Sequence, residues 1–313
     1  MEANNFLKDT NKGQGQVPLE LFGYATTNPC PDTNDWKKLK SESAKSPYKL
    51  MPCPFVNANC SKIRKAKPNA LIGNCTVRVC GSKYRDWIVC PKRLNQDDII
   101  FKDCLMHLRG SKEKVFVASE LKIGEYGNLD FGIIGKNKSG EIDGFVGLEV
   151  QTMGTSNSGS IWDARNDYLK NKMKNRYNFN VNIKDASKKI LVQLLHKGSQ
   201  IARWRSTMVL AIQDCFLDHL KSTYNIVSHF HNADSQDFIH IHAYSLNLDE
   251  KAGRYTISLS ERISTDLLGL SMCLISNPAT KYYKFKNIEA RVNQRLKEVS
   301  AGKNTPIKEL QAK

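Results

Sequence analysis

The 313 residues carry 47 Lys and Arg against 31 Asp and Glu, a formal net charge of +16, and 40% of them are hydrophobic. That length and apolar content suffice for one large core or two modest ones, and no apolar run approaches the ~18 residues a membrane span needs. The opening MEANNFLKDTNKGQGQ lacks the apolar stretch of a secretory signal, so the sequence predicts a soluble cytoplasmic protein whose cationic surplus favours a polyanion, phosphate backbones foremost.

In chain order, residues 1–50 mix Gly, Pro, Asn and Lys around one apolar knot, VPLELFGYA, and predict a loosely packed N-terminal arm. Residues 51–93 hold five of the nine cysteines, Cys53, Cys60, Cys75, Cys80 and Cys90. Disulfides rarely persist in a reducing cytosol, so this density predicts a metal-binding segment rather than scattered core thiols. Four thiolates around one tetrahedral ion make a closed structural site suited to Zn²⁺ or iron. Between the cysteines the loop SKIRKAKPN presents Lys62, Arg64 and Lys65, which can face DNA.

Residues 94–300 predict the main domain and 301–313 a flexible tail. A helix is expected from residue 96 through DDIIFKDCLMHLRG, then a strand, KVFVASEL, with Val115, Val117 and Leu121 on a buried side. Two strands follow, NLDFGIIG (128–135) and GFVGLEVQTM (144–153), joined by KNKSGEID, whose Gly, Asn and Ser fit a hairpin turn. In DASKKILVQLLHKG, Ile190, Leu191, Leu194 and Leu195 share one helical face, with Asp185 or Ser187 as cap. The strand TMVLAIQ comes next, and Asp214 caps the helix CFLDHLKSTY. Two C-terminal helices, SERISTDLLGLSMCLIS and NIEARVNQRLKEV, are expected on either side of Pro278 and the basic, aromatic KYYKFK. Alternating strands and helices predict an α/β fold with a mixed central sheet flanked by helices.

The chemistry concentrates in the hairpin. Side chains two apart on a strand point the same way, so Glu149 and Gln151 share a face opposite Leu148 and Val150. Asp130 interrupts an apolar strand, where an acid costs folding energy unless hydrated or bound to a cation. Two carboxylates on adjacent strands suit Mg²⁺, which takes one or two protein carboxylates plus waters and substrate phosphate. The alternative is a pair of ordinary acids on a half-exposed hairpin.

The order Asp130, turn, Glu149-x-Gln151 resembles the PD-(D/E)XK nuclease fold. With the cysteine segment upstream, the chain resembles the NotI-type restriction endonucleases, including EagI-like members. The likeness runs from about Cys53 to Leu220 through MPCPF, the CSK start, the GNC turn, IVCPKR, LEVQ, ILVQLLHK and LAIQD. It implies a type II restriction endonuclease of a bacterial restriction-modification system. Such an enzyme hydrolyses double-stranded DNA at a GC-rich palindrome with Mg²⁺, as a homodimer. Where the general nuclease pattern has Lys after the second acid, this chain has Gln151, a departure the NotI type shares; Lys122 is one possible substitute. Glu120, with Glu125 as competitor, stands where such folds add an acid from the first helix. Cys53, Cys60, Cys75 and Cys90 are the implied ligands of an Fe(Cys)4 centre, with Cys80 a rival for the third place and Zn²⁺ the alternative ion. Base readers are expected in GTSNSGSIWDARNDY (154–168), which contains Arg165, and in the cysteine segment.

The HFH and HIH pairs (229–231 and 240–242) read as packed or surface histidines of a β region, and Cys104, Cys215 and Cys273 as core thiols. No GxSxG, Walker A or dinucleotide fingerprint is present. Two other functions fit the basic charge: a non-catalytic DNA-binding protein on a nuclease-like scaffold, and a repair or mobile-element nuclease without sequence specificity.

Overall fold

A computed structural model of the chain describes residues 16–41, 51–64, 66, 70–80, 84–110, 112–234, 236–275 and 285–301. The knot VPLELFGYA is not an arm. It folds as β1 (Val17–Leu21) and β2 (Tyr24–Ala25), which bury Leu19, Leu21 and Ala25. Helix α1 (Asn34–Ser41) inserts Trp36, 1% exposed, edge-on against Phe22 and Tyr168. The apolar area of that indole and its neighbours holds the segment down. A short pair, β3 (Ile63–Arg64) and β4 (Ala70–Leu71), precedes β5 (Asn74–Cys80) and β6 (Tyr84–Ile88). The first sheet then has the order β2-β1-β5-β6, with each neighbouring pair antiparallel.

The expected helix from residue 96 is broken. Asp97 and Asp98 take left-handed φ values of 53° and 57°, so a 3-10 stretch (Pro91–Asp98) gives way to a short α2 (Ile99–Cys104) and a 3-10 turn, Leu105–His107. The remaining elements of this unit are β7 (Lys114–Lys122), β8 (Asn128–Lys136), β9 (Ile142–Val150), α3 (Ser158–Leu169), α4 (Ile183–Arg203), β10 (Thr207–Gln213), α5 (Asp214–Thr223), α6 (Ile226–His229), β11 (His231–Asn232), β12 (Ile239–Asp249), β13 (Arg254–Thr265) and α7 (Leu267–Ile275).

Seven strands form the large sheet in the order β11-β13-β12-β10-β9-β8-β7. β10 runs parallel to both β9 and β12, while the other pairs are antiparallel, the mixed sheet flanked by helices that the sequence predicts. β10 is buried along all seven residues. Met208, Leu210 and Ile212 join the core layer that contains Ile190, Leu194 and Ile201 of α4, and Val209 and Ala211 join the layer that contains Ile100 and Cys104 of α2. This period-two alternation between two apolar layers fixes the register of the sheet. The α4 layer also takes in Val77 and Trp87 of the first sheet, so the two sheets share a core.

Several local expectations change. β7 is an edge strand, which leaves Val117 47% exposed and Val115 and Leu121 only half-buried. Neither Asp185 nor Ser187 caps α4: Asp185 lies in its first turn, and Ser187 bonds the Lys184 carbonyl from inside the helix. Leu195 is half-buried. Asp214 is the first residue of α5 rather than its cap, Gln213 standing at the cap position, and its carboxylate accepts the Cys215 N–H at 2.6 Å. SERIST belongs to β13, because Ile257 and Ile263 alternate with polar residues and pair with β12, and the helix begins only at Leu267. Residues 277–313 form a separate unit whose helix, α8, spans Phe285–Ser300. Residues 281–284 of KYYKFK lie outside the described residues. No helix among the described residues is long and apolar enough to cross a membrane.

Candidate active site

Strand register places the acids. β7 pairs Ser119 with Phe131 and Leu121 with Leu129, and β8 pairs Phe131 with Leu148. Carried one residue on, those registers put Glu120, Asp130 and Glu149 side by side on three neighbouring strands. At that row the ladder between β8 and β9 stops, and the Asp130 carboxylate Oδ2 instead accepts the Val150 N–H at 2.8 Å. Glu120 lies on β7, not on a helix, and takes a left-handed φ of 54°. Such backbone strain costs about 1–3 kcal/mol and persists where the surroundings impose it.

Glu149 is 6% exposed and turns toward α4, opposite Leu148. There Lys197, 8% exposed, donates to Glu149 Oε1 at 2.5 Å and to the Asn128 carbonyl at 2.7 Å. Burial, and then repulsion from Asp130, pushes the Glu149 carboxyl up to about 7 despite the pull of Lys197. Burial also raises Asp130; Glu120 adds to the rise, whereas the Val150 N–H and Lys197 oppose it. Burial and mutual repulsion therefore disfavour full ionisation of the row, and the Lys197 ammonium only partly restores it.

Gln151 follows β9, its N–H held by the Ala211 carbonyl at 3.0 Å and its side-chain amide donating to the Thr152 carbonyl at 2.6 Å. Glu125 is exposed in a 3-10 turn and Lys122 is exposed at the end of β7. Lys197 escaped sequence analysis. Its signal was present: Ile190, Leu194, Lys197 and Ile201 recur at helical spacing, so a lysine occupies the apolar stripe of an amphipathic helix.

The cysteine segment is built from two turns. Cys60 N bonds the Met51 carbonyl and Cys53 N the Ala58 carbonyl, closing the loop that carries Cys53 and Cys60. Cys75 and Cys90 flank the base of the β5–β6 hairpin, where Val89 N bonds the Cys75 carbonyl at 2.9 Å. Gly73, with a φ of 60°, makes the turn before Cys75, and a Cβ there would collide with the Phe22 ring. Cys80 is exposed at the opposite end of β5, paired with Tyr84.

The four thiols feel one another. Burial, then Cys90 and Cys53, pushes Cys60 up to about 11; burial, then Cys90, raises Cys75, with Cys60 contributing; burial raises Cys90, and Cys53 adds to it. Backbone N–H groups oppose the rise: those of Lys62 at Cys60, of Lys92 and Arg93 at Cys90, and of Gly23 at Cys75. The sulfurs are nonetheless gathered loosely. Among the described residues, the group of three ligand atoms lying within 4.8 Å of one another is His107, His240 and His242.

The expected DNA-facing cations differ in placement. Lys62 donates to the Val89 carbonyl at 2.5 Å, and the half-buried Arg64 reaches Ser158 Oγ at the start of α3 at 3.4 Å. Arg165 is 5% exposed, its guanidinium 4.6 Å from the Trp162 ring centroid and bonded to Asn166, so it points into the protein. Lys65 lies outside the described residues.

A family model described as restriction endonuclease NotI matches residues 37–257. That span holds the acidic row, Gln151, Lys197 and all four cysteines of the two turns. No curated protein matches the chain.

Proposed function

The chain belongs to the NotI restriction endonuclease family and is thereby a type II site-specific deoxyribonuclease, and we propose that the row Glu120, Asp130 and Glu149 is where it hydrolyses the phosphodiester. The observation that carries this assignment is the placement of three acids in one row on adjacent strands, Asp130 within electrostatic reach of both Glu120 and Glu149, with one buried lysine behind Glu149.

Hard oxygen donors on neighbouring strands fit Mg²⁺, and a cation offsets the burial, and with it the repulsion, that hold Asp130 and Glu149 above the usual carboxylate range. Asp130 and Glu149 hold the ion, with Glu120 beside them. When bound, Mg²⁺ supplies polarisation of the scissile phosphate and acidification of a water. To hold the ion Glu149 would release its proton to solvent, and Lys197 Nζ, fixed by the Asn128 carbonyl, would steady the resulting carboxylate at Oε1. Gln151 has no charge to offer, so Lys197 provides the fixed positive charge of the centre, and Gln151 orients water.

Cys53, Cys60, Cys75 and Cys90 hold a structural Fe or Zn ion. In support, backbone N–H groups are directed at three of the sulfurs, and a bound cation would compensate the burial and mutual repulsion that otherwise disfavour their thiolate forms. The ion ties the loop of Cys53 and Cys60 to the β5–β6 hairpin. Arg64, at the end of β3, and Lys65, the next residue in sequence, contact the DNA backbone.

The substrate is double-stranded DNA at a GC-rich palindrome, cut by a homodimer in which each subunit reads one half-site, within a bacterial restriction-modification system. Digestion of plasmid DNA in Mg²⁺, followed by sequencing of the ends, tests this. A single palindromic sequence at every cut is expected; a smear, or no cutting, contradicts it.

A further inference from the structure

Three buried histidines meet on the α2 side of the large sheet, whereas Glu149 faces α4. His240 and His242 stand two apart on β12 and so share a face, both 0% exposed, and His107, 6% exposed, ends the 3-10 turn after α2. One nitrogen from each ring lies within 4.8 Å of those of the other two. His107 Nε2 and His242 Nε2 are 2.9 Å apart, and the His107 ring centroid is 4.0 Å from that of His240.

The hydrogen-bond accounting leaves ligand lone pairs inside this cluster. His240 Nε2 donates to the Asp237 carbonyl at 3.1 Å, which fixes its tautomer and makes Nδ1 the nitrogen with the lone pair. That Nδ1 is buried without a hydrogen-bond partner among the described residues, as is Nδ1 of His242. A backbone carbonyl holding one ring N–H while the other nitrogen stays open is how metal-ligating imidazoles are oriented. Between His107 and His242, one ring donates and the other accepts, so a single proton holds the contact, and a metal ion can replace it.

The surroundings keep the rings neutral, the state a ligand requires. Burial lowers all three; Arg262 and Lys112 add to this at His107, Arg262 at His242, and Arg109 at His240, while Asp237 and Asp234 act in the opposite sense at His240. The Arg262 guanidinium is itself engaged by the Asp103 carboxylate at 2.8 Å, which offsets its charge.

We propose that His107, His240 and His242 form a buried all-imidazole site for a transition-metal ion of the Zn²⁺ class, separate from the acidic row and from the cysteine segment. Three neutral imidazoles suit Zn²⁺ and its first-row neighbours. The site joins residues 135 positions apart in sequence and pins the turn after α2 to β12. Its burial makes it structural, and it does not depend on the assignment of the acidic row.

The full chain, stripped with a chelator, can be titrated with Co²⁺. Wild-type protein should bind one equivalent whose visible bands lack sulfur-to-metal charge transfer, and His107→Gln and His242→Gln should each lose that equivalent while keeping any thiolate-bound one. Zinc X-ray absorption of the wild type covers the case of variants that fail to fold, and should show outer-shell scattering from imidazole. Zinc held through sulfur alone, no retained zinc, or a histidine variant with wild-type stoichiometry overturns the proposal.

Discussion

Lys197 Nζ sits 2.5 Å from Glu149 Oε1, a contact across 48 positions of sequence. It brings to Glu149 a positive charge of the kind Gln151 cannot supply, by way of a helix packed under the sheet instead of the strand that bears the acid. Replacing Lys197 with Gln should lower single-turnover cleavage about 10²–10³-fold, the usual loss when one preorganised electrostatic group is removed. The acidic limb of the pH–rate profile should also move to higher pH, because the charge that pulls Glu149 down is gone. A profile left in place would assign Lys197 a packing role only.

Glu149 links stability to pH. Its carboxyl is raised from 4.5 in the unfolded chain to about 7 in the folded one. Between those values the folded protein holds a proton that the unfolded chain has released, so stability is greatest below the lower value and falls as pH rises through the window. The loss amounts to on the order of 3 kcal/mol at most. Because the buried histidines act in the opposite sense over this range, the readout is a difference: the melting temperature of metal-free wild type relative to Glu149→Gln should fall from pH 5 to pH 8. Mg²⁺, which requires the ionised carboxylate, should bind more tightly above pH 7 than below it.

Arg93 and Glu20 form a fully buried pair at 2.8 Å, 0% and 1% exposed, with Thr76 also bonded to Glu20 and Gln96 to Arg93. The Arg93 guanidinium lies 4.5 Å from the Phe55 ring centroid, two residues past Cys53. Removing one partner strands a buried charge, so Arg93→Met should cost about 3–5 kcal/mol by urea denaturation. The double variant with Glu20→Leu should recover most of that loss, because two apolar side chains leave no uncompensated charge.

Metal analysis separates Cys75 from Cys80. Protein purified without added metal should carry about one equivalent of iron or zinc per chain bound through sulfur at a four-thiolate site, apart from any zinc held by the histidine cluster. Cys53→Ser and Cys75→Ser should lose it, and Cys80→Ser, at the exposed far end of β5, should keep it. Retention of the ion by Cys75→Ser would contradict the ligand set.

The hairpin that carries Asp130 and Glu149 was legible because alternation of period two and a turn rich in Gly, Asn and Ser are local signals. β10 and α4 were legible for the same reason. Lys197 was not, because its function arises from packing between α4 and β9, although a lysine in an apolar stripe hinted at it. SERIST was misjudged because its pairing partner, β12, lies in another part of the sequence, and tertiary pairing overrides local propensity. VPLELFGYA looked isolated in a polar lead-in but gains a sheet from β5. The HIH pair read as packed histidines until the fold brought His107 between them.

The sharpest test of the acidic row is cleavage by Asp130→Asn and Glu149→Gln on a duplex carrying the sequence found at the cut ends. Asn can still accept the Val150 N–H and Gln can still accept from Lys197, so neither change should disturb the hairpin. Both variants should bind the duplex in Ca²⁺ as the wild type does, yet cut it in Mg²⁺ at less than about a thousandth of the wild-type rate. Cleavage by either variant within about tenfold of wild type would place the chemistry elsewhere.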